Sequence, residues 1–161
     1  MVIYPVTKFK LKLSSNIKKE RLFLSKIKSV FLAGSIDNGS CENWQEILIK
    51  EIDHKDLVIY NPRRKDWNSS IDPTVLNPEL KEQVDWELTA LEKSDLVVMY
   101  FAPGSISPIS LLELGLFHKK CIVCCPEGFW RRGNVQITCD RYNITILDSM
   151  DDLIKKLKEI L

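Results

Sequence analysis

Glu113 stands in the segment Ser105 to Gly115, S-I-S-P-I-S-L-L-E-L-G, with Leu111, Leu112, Leu114 and Leu116 around it. A carboxylate left unpaired among leucines in low dielectric is costly, so it is either on a solvated helix face or kept for chemistry. Upstream, the apolar run Leu96 to Phe101 reads as a buried strand, broken by Pro103-Gly104. Ser107 suits the N-cap of the next helix and Pro108 its first position, where a missing N–H costs nothing. Unpaired backbone N–H groups and the positive end of the helix dipole meet there, a ready site for phosphate or carboxylate. Ser107 and Ser110 are the hydroxyls on that turn and join the candidate substrate-binding residues.

The elements that must position these residues follow from hydrophobic spacing. Ser29 to Ala33 reads as a first core strand, and the small polar loop Gly34 to Ser40 follows it. Trp44, Ile47, Leu48 and Ile52 recur at helical spacing and predict an amphipathic helix from about Cys41 to Asp53. Leu57 to Tyr60 is a second strand, stopped by Asn61-Pro62. The polar loop Arg63 to Asp72 then leads to a helix capped by Asn77 with Pro78 first, whose inner face carries Leu80, Val84, Leu88 and Leu91. After the strand at Leu96 and the Glu113 helix come strands at Cys121 to Cys125 and Asn143 to Leu147. Ser149 and Asp152 open a last helix with the buried stripe Leu153, Ile154, Leu157, Ile160 and Leu161.

Strands alternating with helices at short spacing imply a parallel sheet covered on both faces. Right-handed crossovers favour an α/β, doubly wound, five-stranded, flavodoxin-like sheet of order 2-1-3-4-5. Such sheets bind ligands beyond the strand C-termini where the order reverses, here between strands 1 and 3. The loop with Gly34, Ser35 and Asp37 would thus lie beside Ser107 and Glu113. Asp37 also suits a plain turn. Residues 1–28 read as an N-terminal extension in which Phe9, Leu11 and Leu13, alternating with lysines, suit an edge strand, and residues 29–161 read as one domain.

The totals exclude several classes. A formal net charge of +1 gives no support for a dedicated nucleic-acid binder. The chain shows no apolar run long enough for a bilayer and no secretory pattern, which points to the cytoplasm. Five cysteines, an odd number, argue against a disulfide framework. Cys121, Cys124, Cys125 and Cys139 tempt a zinc reading, but the first three read as small apolar residues of a central strand, and no histidine completes a site. No metal is expected.

These segments, taken together, resemble the nucleoside 2-deoxyribosyltransferase superfamily, and most of all a bacterial branch of deoxyribosyltransferase-like domain proteins. The resemblance is carried by Val30 to Ile36, Asn61 to Trp67, Gln83 to Leu88, Ser107 to Gly115 and Cys124 to Val135, and spans roughly Val30 to Leu161. It implies a retaining double displacement at the anomeric carbon of a nucleoside, with no cofactor. The family's nucleophilic glutamate falls on Glu113, its second acid on Glu87, a base-contacting position near Asp66, and a loop asparagine that completes a neighbouring subunit's site on Asn134. The implied partners are a nucleoside or nucleotide and a nucleobase, with a homo-oligomer as the working form. The chemistry is self-consistent: a carboxylate below the sugar stabilises oxocarbenium charge and can trap it, while a second carboxyl protonates the leaving base.

Two departures bear on substrate. The transferases position the nucleophile with a tyrosine on strand 1, where this chain has Val30-Phe31. Six residues before the nucleophile they tend to carry an acid, where this chain has Ser107, which is similar to the related 5′-monophosphate N-glycosidases. Arg63, Arg64, Arg131 and Arg132 suit phosphate or solvent; Trp67 and Trp130 suit base stacking or subunit contact, and Trp44 and Trp86 packing. The expected function is cleavage of the N-glycosidic bond of a (2′-deoxy)nucleoside or its 5′-monophosphate, with transfer to another base or to water. A non-catalytic nucleotide-binding module and an N-glycosidase acting on NAD are the alternatives.

Overall fold

The computed structural model describes residues 27–36, 41–52, 56–64 and 72–161. Five strands, β1 (Ser29–Gly34), β2 (Val58–Tyr60), β3 (Leu96–Tyr100), β4 (Cys121–Cys124) and β5 (Thr145–Leu147), form one sheet of order β2-β1-β3-β4-β5. Every pairing is parallel. The helices are α1 (Trp44–Ile52), α2 (Pro78–Lys93), α3 (Pro108–Phe117), α4 (Arg132–Tyr142) and α5 (Met150–Ile160). This is the doubly wound, flavodoxin-like α/β fold that the spacing predicts. The edge strand expected near Phe9 lies outside the described residues.

Side chains alternate across the sheet as the pleat requires. Val30, Leu32, Leu96 and Val98 face α1 and α5, where Trp44, Leu48, Leu153 and Leu157 close the core. Phe31, Ala33, Val97 and Met99 face α2, α3 and α4, meeting Ala90, Leu91, Leu114 and Val135. The predicted caps form at two helices: the Asn77 side chain accepts from the N–H groups of Glu79 and Leu80, and Ser149 accepts from Asp152.

Two predicted stripes need correction. On α1, Ile47 is 39% exposed and Gln45 is fully buried in its stead. On α2 only Leu91 of the expected inner face is buried; Val84 and Leu88 are 40% and 37% exposed. The helix is turned so that Gln83 and Glu87 point inward, ahead of the buried Ala90 and Leu91. Apolar spacing alone read the neighbouring flank as the core face, because the true inner face is polar along half its length.

Gly34 allows β1 and β3 to approach at the sheet's upper edge. Its φ is +138°, and a Cβ there would sit 2.2 Å from the Tyr100 carbonyl oxygen. No other residue fits. The chain leaves the strand with the Ser35 N–H donating to that same carbonyl, 2.9 Å away.

Candidate active site

A cleft of about 940 Å³ opens at the C-terminal end of β1, between the loop that leaves β2 at Asn61 to Arg64 and the start of α3, which follows β3. Phe31, Ala33 and Gly34 of β1 form its floor, and Gln83 and Glu87 of α2 form one wall. The first turns of α3 form the other wall with Ser107, Ser110 and Glu113.

Glu113 is buried, with 8% of its surface exposed. Helix α3 runs over the sheet, so the side chain about one and a half turns from its start turns down into the cleft, not out to solvent. Burial is the main cause, and the charge of Glu87 the second, that pushes its carboxyl up to about 8. The solvated-face alternative is thereby removed. Glu87 is also raised by burial, but the Gln83 amide opposes this. Gln83 Nε2 donates to Glu87 Oε1 at 2.8 Å and to the Pro62 carbonyl at 3.3 Å, which fixes the amide as a donor and favours the ionised carboxylate. The two acids share a cleft, and at neutral pH the pair holds a proton mainly on Glu113. Gln83 was missed in the sequence, although its spacing of four from Glu87 on a helix is a readable signal.

Ser107 occupies the N-cap position of α3, but its backbone is left-handed (φ 45°, ψ 52°) and its side chain makes no cap. Instead its hydroxyl turns inward: Ser35 Oγ lies 2.7 Å from both Ser105 Oγ and Ser107 Oγ. A left-handed non-glycine residue costs on the order of 1 kcal/mol or more, and this buried ring is what holds it. Ser35 is fully buried and absent from the cleft lining, so of the ring only Ser107 faces a ligand. Ser105, whose contribution sequence reasoning missed, sits beneath it. The Trp44 indole N–H donates to the Ser35 carbonyl at 2.9 Å and packs on Tyr100, as core and not as a base platform.

The arginines do not converge on the cleft as free cations. Arg63 lines it, yet its guanidinium donates to the carbonyls of Cys41 (2.9 Å) and Glu42 (3.2 Å). It thereby ties β2's exit loop to the start of α1. Arg64 lines the cleft too and lies 4.0 Å from Glu79. Arg132 donates to the Cys125 carbonyl and pairs with Asp148 at 2.6 Å. Arg131 stacks over Trp130, 4.4 Å from the ring centroid, and the Trp130 N–H donates to the Ile106 carbonyl. Asn134 is exposed in the first turn of α4, outside the cleft lining. Asp37, Asp66 and Trp67 lie outside the described residues.

Cys121, Cys124, Cys125 and Cys139 are buried free thiols, each pushed up by burial. Among the described residues no group of three or more His, Cys, Asp or Glu is placed to hold a metal ion, and no helix is long and apolar enough to cross a membrane.

A family model described as nucleoside 2-deoxyribosyltransferase like matches residues 27–129, which include both cleft acids, Ser107 and the glycine of β1. The chain belongs to that family. Members of the nucleoside 2-deoxyribosyltransferase-like family are associated with glycosyl transfer or N-glycosidic cleavage in general. A conserved protein from Enterococcus faecalis V583, known from its crystal structure, is similar in fold with a TM-score of 0.57 at 14% identity. That match covers 84% of this chain and 100% of the other. No curated protein matches the sequence. The family match ends at Phe129, so Trp130, Arg131 and Asn134 lie beyond it.

Proposed function

We propose that this chain cleaves the N-glycosidic bond of a (2′-deoxy)nucleoside or its 5′-monophosphate, with Glu113 as nucleophile, and passes the sugar to another base or to water. The observation that carries this is a buried carboxylate on α3 sharing a cleft with a second, amide-held carboxylate on α2. In the first step the C1′–N bond breaks and the base leaves with its bonding electrons and a proton. Oxocarbenium charge grows on the sugar, and a Glu113 oxygen closes a glycosyl ester. In the second step an acceptor nitrogen or a water oxygen attacks C1′ and gives its proton back to the base-end carboxyl, and the ester opens to restore the Glu113 carboxylate. The proton that Glu113 holds in the empty cleft passes to the leaving base by way of the carboxyl at the base end, Glu87 or Asp66, so that Glu113 attacks as the carboxylate.

The raised Glu113 value fits a site waiting for a developing cation: a carboxyl that is costly to ionise in the empty cleft is stabilised as sugar charge appears beside it. Residues 29–161 carry the site, with 1–28 as an extension. The working form is a homo-oligomer, because Ile109, Leu112 and Leu116 run as a stripe along α3 at 59–61% exposure, next to the cleft. Asn134 would serve a neighbouring copy's cleft, and no cofactor is needed.

One observation favours a second reading. Val30 and Phe31 offer Glu113 no hydroxyl, so the nucleophile lacks a donor from β1, as in a module that binds nucleotides without cleaving them. The deciding experiment incubates the protein with the common deoxynucleosides, their monophosphates and NAD, with and without an acceptor base, and identifies products by mass. Released base, lost in Glu113→Ala, supports the enzyme. Tight binding without product supports the module.

A further inference from the structure

The hydroxyls of Ser35, Ser105 and Ser107 share three protons, and their partners leave one way to place them. Ser105 Oγ lies 2.8 Å from the Ala102 carbonyl oxygen, which can only accept, so the Ser105 proton goes there. Ser35 Oγ receives the Ala102 N–H at 2.9 Å. The 2.7 Å contact between Ser35 and Ser105 then takes its proton from Ser35, since Ser105 has spent its own. The remaining 2.7 Å contact, between Ser35 and Ser107, takes its proton from Ser107. The longer Ser105–Ser107 approach, 3.1 Å, is left without one. All three protons point away from the cleft, along a chain from Ser107 through Ser35 and Ser105 to the Ala102 carbonyl.

We infer that Ser107 meets the ligand as a hydrogen-bond acceptor, so the group bound there is a hydroxyl of the sugar and not a phosphate. The inference rests on the nucleoside reading above and decides between its two substrate forms. A hydroxyl that donates into such a chain is polarised and becomes a better acceptor. A phosphate brings only acceptor oxygens and a charge near −2 at neutral pH, so it would face lone pairs. The helix dipole of α3 favours an anion at the same place. Against it stand Glu87 and Glu46 in the lining, while of the two arginines there Arg63 donates to backbone carbonyls and Arg64 lies 4.0 Å from Glu79. Pro108, at the first helical position, also withholds one N–H that an anion would use.

Ser107 is thus a specificity-determining residue, with Ser35 and Ser105 as positioning residues that act through it. Titration calorimetry with the common 2′-deoxynucleosides, their 5′-monophosphates and their 3′- and 5′-deoxy analogues tests this, alongside product analysis. Wild type should bind a deoxynucleoside roughly tenfold or more tightly than its monophosphate. Ser107→Gly, which suits the left-handed backbone and keeps the fold, should lose roughly three- to tenfold for the parent nucleoside and nothing for the one analogue lacking the contacted hydroxyl. Ser105→Ala removes the chain's outlet, lets Ser35 donate to Ser107, and frees the Ser107 proton for the cleft. It should narrow the preference for nucleoside over monophosphate at least threefold, although Ser105 does not line the cleft. Equal or tighter binding of the monophosphate by wild type overturns the inference, as does a preference unchanged in both variants. Binding of neither ligand overturns it together with the nucleoside reading. Preference for the hydroxyl form without base release leaves the inference standing and removes the N-glycosidase reading. Faster release of base from the monophosphate does the reverse.

Discussion

The two faces of the sheet are covered by opposite logics. Under α1 and α5 the helices bury apolar stripes, Trp44, Leu48 and Ile52 against Leu153, Leu157 and Ile160, and turn charge outward, as in the Lys158–Glu51 pair at 2.5 Å. Over the other face, α2 turns Gln83 and Glu87 inward and leaves Val84 and Leu88 partly bare. Helix α3 buries Glu113 and exposes Ile109, Leu112 and Leu116. The first arrangement is what stability alone selects, because each fully buried Leu or Ile contributes about 1.5–3 kcal/mol. The second costs stability in two ways, by burying carboxylates and by leaving leucines wet. Both losses fall beside the same cleft.

The largest expected effect is on chemistry. Glu113→Ala should lower kcat/KM by about a thousandfold or more while the circular-dichroism melt stays cooperative. Retained turnover, or loss of the folded state, would return Glu113 to a structural role. The mirror-image test uses the quiet face: Leu157→Ala should cost about 2–5 kcal/mol of stability, since the residue is fully buried. On the cleft face, Leu112→Glu should leave monomer stability within about 0.5 kcal/mol, as Leu112 is 60% exposed, and should act instead on the sedimentation profile. If Leu112→Glu unfolds the chain as Leu157→Ala does, the contrast between faces collapses.

A third, smaller effect comes from protonation. Because burial and Glu87 raise Glu113 from 4.5 to about 8, its contribution to stability is fully present below about pH 4.5 and is lost as pH rises toward 8. Glu113→Gln should therefore raise the unfolding free energy relative to wild type at pH 8.5, by an amount on the order of a few kcal/mol, and change it little at pH 4. Equal shifts at both pH values would show that the carboxyl is not strained in the fold. The smallest effect is at Lys120, where Lys120→Met should cost about 1–2 kcal/mol by leaving carbonyls at the end of α2 without a donor. A denaturant melt unchanged within error would show that water replaces the ammonium.

The contrast between faces also explains what the sequence made legible. The strand order and the stripe of α5 could be read because apolar spacing and burial agree there, as at Leu153 and Leu157. Glu113 could be singled out because an acid among leucines is conspicuous. The orientation of α2 could not be read, since Leu80, Val84 and Leu88 mimic a core face while the true inner face carries Gln83 and Glu87. Nor could the direction of the Ser107 hydroxyl, because a serine before Pro108 looks like an ordinary cap. Its left-handed backbone arises from contacts with Ser35 and Ser105, 72 and 2 residues away in sequence.

Lys120 has a wider consequence than its modest energy suggests. Its ammonium, just past the end of α3, donates to the carbonyls of Leu91 (2.5 Å), Ser94 (2.7 Å) and Glu92 (3.0 Å) at the far end of α2. The two helices that carry Glu87 and Glu113 are pinned there, about two turns from the acids. They work like the arms of a pair of tongs riveted at one end, with their grip at the other. A contact that touches neither carboxylate thus joins the packing on the sheet in holding the two helices, and with them the acids that feel each other's charge.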